Sequence, residues 1–367
     1  MKELAVAKEQ RMVVKLGSQV LCDAEGNLNI EVMTNLAAQI AWLNKNGWQV
    51  LLVSSGAVAA GRGLDDDRLR RISDPVARKQ VMAATGQVSL METYRSLFEA
   101  HGLDVAQVLA SKSDFQSRGH YLNIRGCIEA LLVVGIVPIV NENDVVSVTE
   151  LMFTDNDEFA GLLAGMVNAD LLCLLSSVPG VFDGDPTAPG TRCIEVWDDK
   201  LYKIDDIVAR GTSGLGRGGM GNKLKTARKV SRLGTEVVIA DGGDKDIISK
   251  ILNKDNVGTR FPAVRDTSPA KRWLASADAH AVGSVTINAG AQEVLSDISR
   301  QASLLPVGVV SIAGHFDQGD VIQILSGENG RILGCGQASC NHLDAAKQIG
   351  LHDQKPLIHY NYLYLNE

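Results

Sequence analysis

The span from Asn141 to Asp157, NENDVVSVTELMFTDND, crowds carboxylates and amides into seventeen residues. Asn141, Glu142, Asn143 and Asp144 close the apolar run LLVVGIVPIV, and Asp155, Asn156 and Asp157 close the span. Such groups can grip an amino group, orient a carboxylate through amide donors, or hold a basic side chain in place. Two lysines supply the complementary charge. Lys15 ends an apolar run and precedes Leu16-Gly17, so it reads either as a lysine snorkelling to solvent or as a point charge aimed at phosphate oxygens. Lys223 follows five glycines in GLGRGGMGNK (214–223) and is expected at a helix start. Free backbone amides, a helix N-terminus and a lysine together suit an anionic phosphate, and the alternative is a flexible surface loop. Gly214-x-Gly216-x-x-Gly219 matches the dinucleotide fingerprint in form only, because no strand directly precedes it. Asn222, not lysine, follows Gly221, which excludes a Walker A loop. In Ser54-Ser55-Gly56-Ala57, Ser55 reads as the N-cap of a short helix, a place that also receives a substrate carboxylate or phosphate. Two lysines, Gly-rich turns and an acidic cluster, without any Ser-His-Asp logic, point to phosphoryl transfer. That reaction needs charge neutralisation and in-line positioning more than a covalent nucleophile.

These residues need a frame to hold them. RMVVKLGS (11–18) predicts a buried strand ending in a Gly turn. In the segment that follows, Met33, Leu36, Ala37, Ile40 and Leu43 share one helical face and Gly47 is the stop. WQVLLVSSG is a second buried strand, so the start of the chain is a parallel β-α-β unit. Helices over 78–100 and 119–133 alternate with strands DVAQVLA and GIVPIVNEN. The series goes on through EFAGLLAGMVN (helix), DLLCLLSS (strand), KLKTARKVSRLG (helix) and TEVVIADGG (strand). The alternation predicts an α/β fold with a doubly wound, mostly parallel sheet over residues 1–261. Each polar cluster (Lys15–Ser18, Ser54–Gly56, Asn141–Asp144, Ser176-Ser177, Asp241–Gly243) then falls at the carboxyl end of a strand, where such sheets bind ligands. Residues 262–280 read as a linker or docking segment. Residues 281–360 carry short strands spaced by Gly and Asp turns, which predicts a small C-terminal β-barrel.

Composition narrows the function. With 367 residues, 45% of them hydrophobic, the chain can bury two cores. A formal net charge of −7 argues against a general polyanion binder, and residues 281–367 hold four Lys/Arg against eight Asp/Glu, so nucleic acid is not an expected partner. No apolar run is long enough for a membrane helix, and MKELAVAKEQRM lacks the apolar core of a secretory signal, so a cytoplasmic protein is expected. Six cysteines without a Cys-x-x-Cys read as free thiols. Cys335, Cys340 and His342 form the one cluster with any likeness to metal ligands, and it lacks a fourth.

Taken in order, VVKLGSQVL (13–21), VLLVSSGAVAAGR (50–62), KQVMAATGQ (79–87), PIVNENDVV (138–146), DNDEFAG (155–161), GVFDGDP (180–186), SGLGRGGMGNKL (213–224) and VGTRF (257–261) resemble the glutamate 5-kinases of the amino acid kinase family. SLLPVGVVSIAGHFDQGDVIQI (303–324) resembles the PUA domain of the bacterial members. The resemblance implies ATP-dependent phosphorylation of the L-glutamate γ-carboxylate, with Mg²⁺ accompanying the nucleotide, proline as a feedback inhibitor, and a homo-oligomer, dimer or tetramer. It implies Lys15, Lys223 and Asp157 as catalytic residues, with Asp157 organising the two lysines. Ser55, Asn141, Asp144 and Asn156 match substrate-binding positions. Lys15, Ser176, Ser177, Arg217, Gly218, Gly219, Met220, Gly221, Asn222 and Lys223 match nucleotide-binding positions, and no residue is implied as a metal ligand. The departures lie mostly on the nucleotide side. Ser176-Ser177 stand where Thr-Asp is usual, Asn222 replaces Thr, Gln19 stands where Ser or Thr is common, and Thr154 replaces Gly. A kinase of the same fold acting on acetylglutamate, aspartate, carbamate or a nucleoside monophosphate is the rival enzyme reading. An RNA-binding protein is the rival of another class.

Overall fold

The computed structural model describes residues 10–23, 26–63, 66–116, 118–146, 156–210, 217–264, 274, 281–297 and 302–365. The chain divides into two compact units, Met1–Asp114 with Asn123–Asp266, and Phe115–Leu122 with Thr267–Glu367.

Seven strands form the sheet of the first unit: β1 (Gln10–Leu16), β2 (Trp48–Val53), β3 (Val105–Ala110), β4 (Val137–Glu142), β5 (Leu171–Ser176), β6 (Glu236–Asp241) and β7 (Thr259–Phe261). Their order is β3-β4-β2-β1-β5-β6-β7, parallel throughout except for the antiparallel β7. β4 and β5 are buried along their whole length, which is why they read as unbroken apolar runs and not as alternating ones. β1 is central. Lys15 aligns with Val53 of β2 on one side and Leu174 of β5 on the other. The connection after β1 runs to β2 on one side and the connection after its neighbour β5 runs to β6 on the other, so the carboxyl ends of β1 and β5 open the crevice where such sheets place ligands.

The helix Ile30–Lys45 buries the five residues expected of it, is capped by Asn29 accepting from the Val32 amide (3.2 Å), and is followed by Gly47 at φ +83°. The long helix Pro75–Glu99 starts on Asp74, whose carboxylate accepts from the amides of Val76 and Ala77. It buries Ala83, Gly86, Leu90, Tyr94 and Phe98 along one stripe. Gly86 is obligatory there, because a Cβ would stand 1.9 Å from the Ala57 carbonyl oxygen and 2.3 Å from the Gly61 nitrogen. The short helix Ala57–Ala60 can pack onto the long one only through that gap.

Two expectations need correction. The helix expected from Lys223 begins at Arg217 and runs to Arg232, so Gly218–Asn222 form its first turns and Lys223 lies inside it. The glycines masked a helix whose apolar face further along was plain. β7 was not foreseen, since three residues on an edge carry no recognisable pattern.

The second unit holds β8 (Gly283–Ile287), β9 (Val309–Gly314), β10 (Val321–Ser326), β11 (Ile332–Ala338) and β12 (Ile358–Leu365) in the order β12-β11-β10-β8-β9. Only the β8–β10 pair is parallel. Val285, Ile287, Ile322, Ile324 and Ile358 fill the core. Two short helices, Ala289–Ser296 and His342–Gln348, lie between the expected strands, each capped by an asparagine, Asn288 and Asn341. Leu274, in the expected linker, is buried against Val321 and Cys335, and Cys335 Sγ donates to its carbonyl (3.1 Å). The remainder of 265–280 lies outside the described residues. His342 Nδ1 lies 3.1 Å from the Phe316 carbonyl, and no group of three or more His, Cys, Asp or Glu able to hold a metal occurs among the described residues. No described helix is long and apolar enough to cross a membrane.

Replacing Gly86 by alanine should lower stability by about 3 kcal/mol, since overpacking here meets backbone and not a movable side chain. Thermal unfolding should show a drop of roughly 6–12 °C.

Candidate active site

Three elements converge at the carboxyl end of β1. β1 carries Lys15, the first turn of the helix Asn156–Met166 carries Asp157, and the helix Arg217–Arg232 carries Lys223. Lys15 Nζ lies 2.5 Å from Asp157 Oδ1, and Lys223 Nζ donates to Oδ2 of the same carboxylate. Asp157 is 1% exposed and Lys15 4%. Burial opposes ionisation of Asp157, but the charges and hydrogen bonds of Lys15 and Lys223 outweigh it and hold the carboxyl below its usual range. One carboxylate thus pins two ammonium groups at a strand end. A helix N-terminus is also the favourable place for an acidic residue.

A small residue makes this possible. Gly161 lies one turn beyond Asp157, and a Cβ there would stand 2.9 Å from Val230 Cγ2 and 3.0 Å from Thr226 Cγ2. The gap brings the two helices close enough for Lys223 to reach Asp157. Beside it, the Gly17 amide donates to the Leu175 carbonyl (3.1 Å), tying the end of β1 to β5.

A second group of side chains lies at the ends of β2 and β4. Asn156 Nδ2 donates to Ser55 Oγ (2.8 Å) and reaches the Ser54 carbonyl at 3.4 Å, joining residues a hundred positions apart in sequence. Ser55 is not the N-cap of the helix Ala57–Ala60; Gly56 occupies that position at φ +98°. Freed from capping, the Ser55 hydroxyl accepts from Asn156 and keeps its own O–H to donate. Ser54 Oγ is bonded to the fully buried Tyr94 hydroxyl at 2.8 Å, and burial pushes that phenol upward. Asn141 is buried, with Oδ1 accepting from the Glu142 amide (2.9 Å) and Nδ2 donating to Gln87 Oε1 (3.0 Å). Asp144 lines a cleft of about 280 Å³ with Glu142, Gln87, Ala83 and Ala57. Burial pushes its carboxyl up, and Lys79, 3.9 Å away, opposes that rise. Sequence reading assigned no role to Lys79 or Gln87. Both lie in KQVMAATGQ (79–87), and their spacing of eight on one helix was the available signal. Asp155 lies outside the described residues.

On the other flank of β1, Ser176 ends β5 and accepts through its carbonyl from the Gly242 amide (2.8 Å). Ser177 Oγ donates to Gln19 Oε1 at 2.8 Å, so two of the positions that depart from the family pattern touch each other. The end of β6 also borders a cleft of about 260 Å³ lined by Asp241, Asp244, Glu195 and Asn256. Arg217, Gly218, Gly219, Met220, Gly221 and Asn222 form the start of the Lys223 helix, and Gly221 faces Val208. No hydrogen bond among the described residues joins Ser176 or Ser177 to that helix.

Residues 10–241 match the model of the amino acid kinase family, and residues 283–359 match that of the PUA domain. Over 97% of this chain and 97% of the relative, the sequence is 44% identical to a glutamate 5-kinase of Chlorobaculum tepidum. It is 41% identical to a glutamate 5-kinase of Bacteroides thetaiotaomicron, over 97% of this chain and 98% of the relative. The structure is similar to that of a carbamate kinase from Giardia lamblia bound to AMP-PNP, with a TM-score of 0.51, 19% identity, and coverage of 70% of this chain and 99% of that one. The last likeness concerns the fold alone. With the kinase-family match spanning most of the chain and close relatives spanning nearly all of it, the chain belongs to the amino acid kinase family, among the glutamate 5-kinases that carry a C-terminal PUA domain.

Proposed function

We propose that the chain transfers the γ-phosphoryl group of ATP to the γ-carboxylate of L-glutamate, yielding γ-glutamyl phosphate for proline synthesis. The observation that carries this reading is the Lys15–Asp157–Lys223 cluster at the switch point of the sheet; the cleft that Asp144 lines lies at β3 and β4 of the same sheet. The acceptor is a carboxylate already ionised at neutral pH, so no base is needed to activate it. An oxygen of the γ-carboxylate attacks the γ-phosphorus, the bond to the bridging β,γ-oxygen breaks, and ADP leaves. Charge on the transferring group is met by Lys15 and Lys223, whose spacing Asp157 sets. The cleft side supplies Asp144 for the α-ammonium, with Ser55, Asn156 and the amides near them for carboxylate oxygens. Asn141 acts from behind, because both ends of its amide are occupied. Ser176, Ser177 and residues 217–223 face the nucleotide.

The donor set does not make a resident metal site. Asp157 is engaged by two ammonium groups, and no cluster of three metal-ligating side chains occurs among the described residues. Mg²⁺ is therefore read as arriving on the nucleotide phosphates, as this ion commonly does. Proline, which shares the α-ammonium and α-carboxylate of glutamate, is read as an inhibitor at the acceptor cleft. The kinase function is assigned to residues 1–261 and the PUA domain to 281–360, with 262–280 between them.

A coupled assay with ATP and L-glutamate, N-acetylglutamate, aspartate or UMP tests the reading. Turnover confined to one of the last three sinks it. Lys223→Ala should lower kcat by roughly 10²–10³-fold with the glutamate KM nearly unchanged, the usual cost of losing one transition-state donor. Asp144→Ala should raise the glutamate KM by about 10–100-fold, the equivalent of one charged hydrogen bond, with a smaller effect on kcat. Asp157→Asn should lower stability by about 3–5 kcal/mol at neutral pH, because it strands the buried Lys15 ammonium and the half-buried Lys223 ammonium. The native carboxyl is held below its ordinary value near 3.9, so its contribution is present above that pH and is lost as the pH falls through the lower native value. Denaturant titrations of both proteins should show the gap closing only below about pH 4.

A further inference from the structure

One face of the helix Pro75–Glu99 grips the segment Asn141–Val145 at three points. Lys79 Nζ lies 3.9 Å from the Asp144 carboxylate, Gln80 Nε2 donates to the Val145 carbonyl (2.6 Å), and Gln87 Oε1 accepts from Asn141 Nδ2 (3.0 Å). Lys79, Ala83 and Gln87 follow one another at intervals of four, a single stripe on the helix. Ala83 and Gln87 line the same cleft as Glu142 and Asp144.

The orientation of the Gln87 amide follows from a chain of donors and acceptors. The Glu142 amide can only donate, so the Asn141 atom that meets it is the oxygen. Asn141 Nδ2 then faces Gln87, so the Gln87 atom that meets it is also the oxygen. Gln87 Nε2 is left as a buried N–H donor with no hydrogen-bond partner among the described residues. A buried unpaired donor is costly, because it has given up water without gaining a partner. Such a group beside a cleft is suited to an acceptor that the cleft receives.

We propose that Gln87 is a substrate-contacting specificity residue: a small shift of its side chain as the amino acid enters directs Nε2 to an oxygen of the α-carboxylate while Asp144 holds the α-ammonium. This rests on the functional reading given above. The γ-carboxylate points to the lysines at the end of β1. The α-carboxylate, bonded to the same carbon as the ammonium, falls on the Asp144 side of the cleft, where Gln87 lies. An amide there rewards an acceptor and is left unsatisfied by a donor, so it selects a free α-carboxylate over an α-amide.

The test compares kcat/KM for L-glutamate with kcat/KM for its α-amide, both of which retain the reacting γ-carboxylate. Gln87→Met removes the donor at similar volume and should lower the ratio of the two by about tenfold, with the KM for ATP unchanged. Gln87→Glu keeps the acceptor that Asn141 needs but turns the free end into a second acceptor. It should lower the ratio further and shift preference toward the α-amide. A purely structural role would scale both substrates together. A ratio within twofold of wild type in both variants, with wild type active on L-glutamate, overturns the assignment. Wild type inactive on L-glutamate overturns the functional reading, and this one with it.

Discussion

A single buried carboxylate, Asp157, bonded to two ammonium groups is the constraint on which the rest of the first unit depends. Neither Lys15 nor Lys223 could be held near the interior without it, since an unpaired charge there carries a penalty of several kcal/mol. The carboxylate needs them in turn, because burial alone pushes its pKa up. The arrangement depends on all three groups together, and it presents two ammonium groups where β1 ends. An enzyme that moves a phosphoryl group gains from such a preformed field, which costs no reorganisation at the moment of reaction.

The fold can be read as the means of bringing those groups together. A central parallel strand delivers Lys15 to the crevice edge with neighbours on both sides in register. Gly161 lets the Lys223 helix approach the Asp157 helix. Gly86 does the same for the long helix Pro75–Glu99 and the turn that presents Ser55. Close helix approach at these two places sets the distances on both flanks of the candidate site.

The flank at the ends of β2 and β4 works by a different logic. Its polar groups are mostly bonded to one another, Asn156 to Ser55 and Asn141 to Gln87, and those bonds fix which atoms face outward. On the opposite flank the Gln19–Ser177 bond ties the turn after β1 to the end of β5.

Much of this was legible in the chain. The buried strands were visible because a parallel sheet covered on both faces demands unbroken apolar runs. The helix Ile30–Lys45 was visible because its five buried residues keep helical spacing. The five strands of the second unit were visible from their Gly and Asp punctuation. The residue types of the site, acids and amides clustered beyond strand ends and two lysines near glycines, were legible for the same local reasons. What stayed hidden depends on partners far away in sequence. The Gly-rich segment before Lys223 gives no periodic signal, yet its residues Arg217–Asn222 are helical. Ser55 has the residue type of a cap, but a hydrogen bond from Asn156, a hundred residues on, and a left-handed Gly56 give the cap position to the glycine. Gln87 looks like any helical glutamine until Asn141 and the Glu142 amide decide which end of its side chain is free. Local patterning therefore determined the elements and the chemistry available, because it depends on neighbours along the chain. Tertiary structure decided which groups share a charge or a hydrogen bond, because those energies depend on distances that only packing sets.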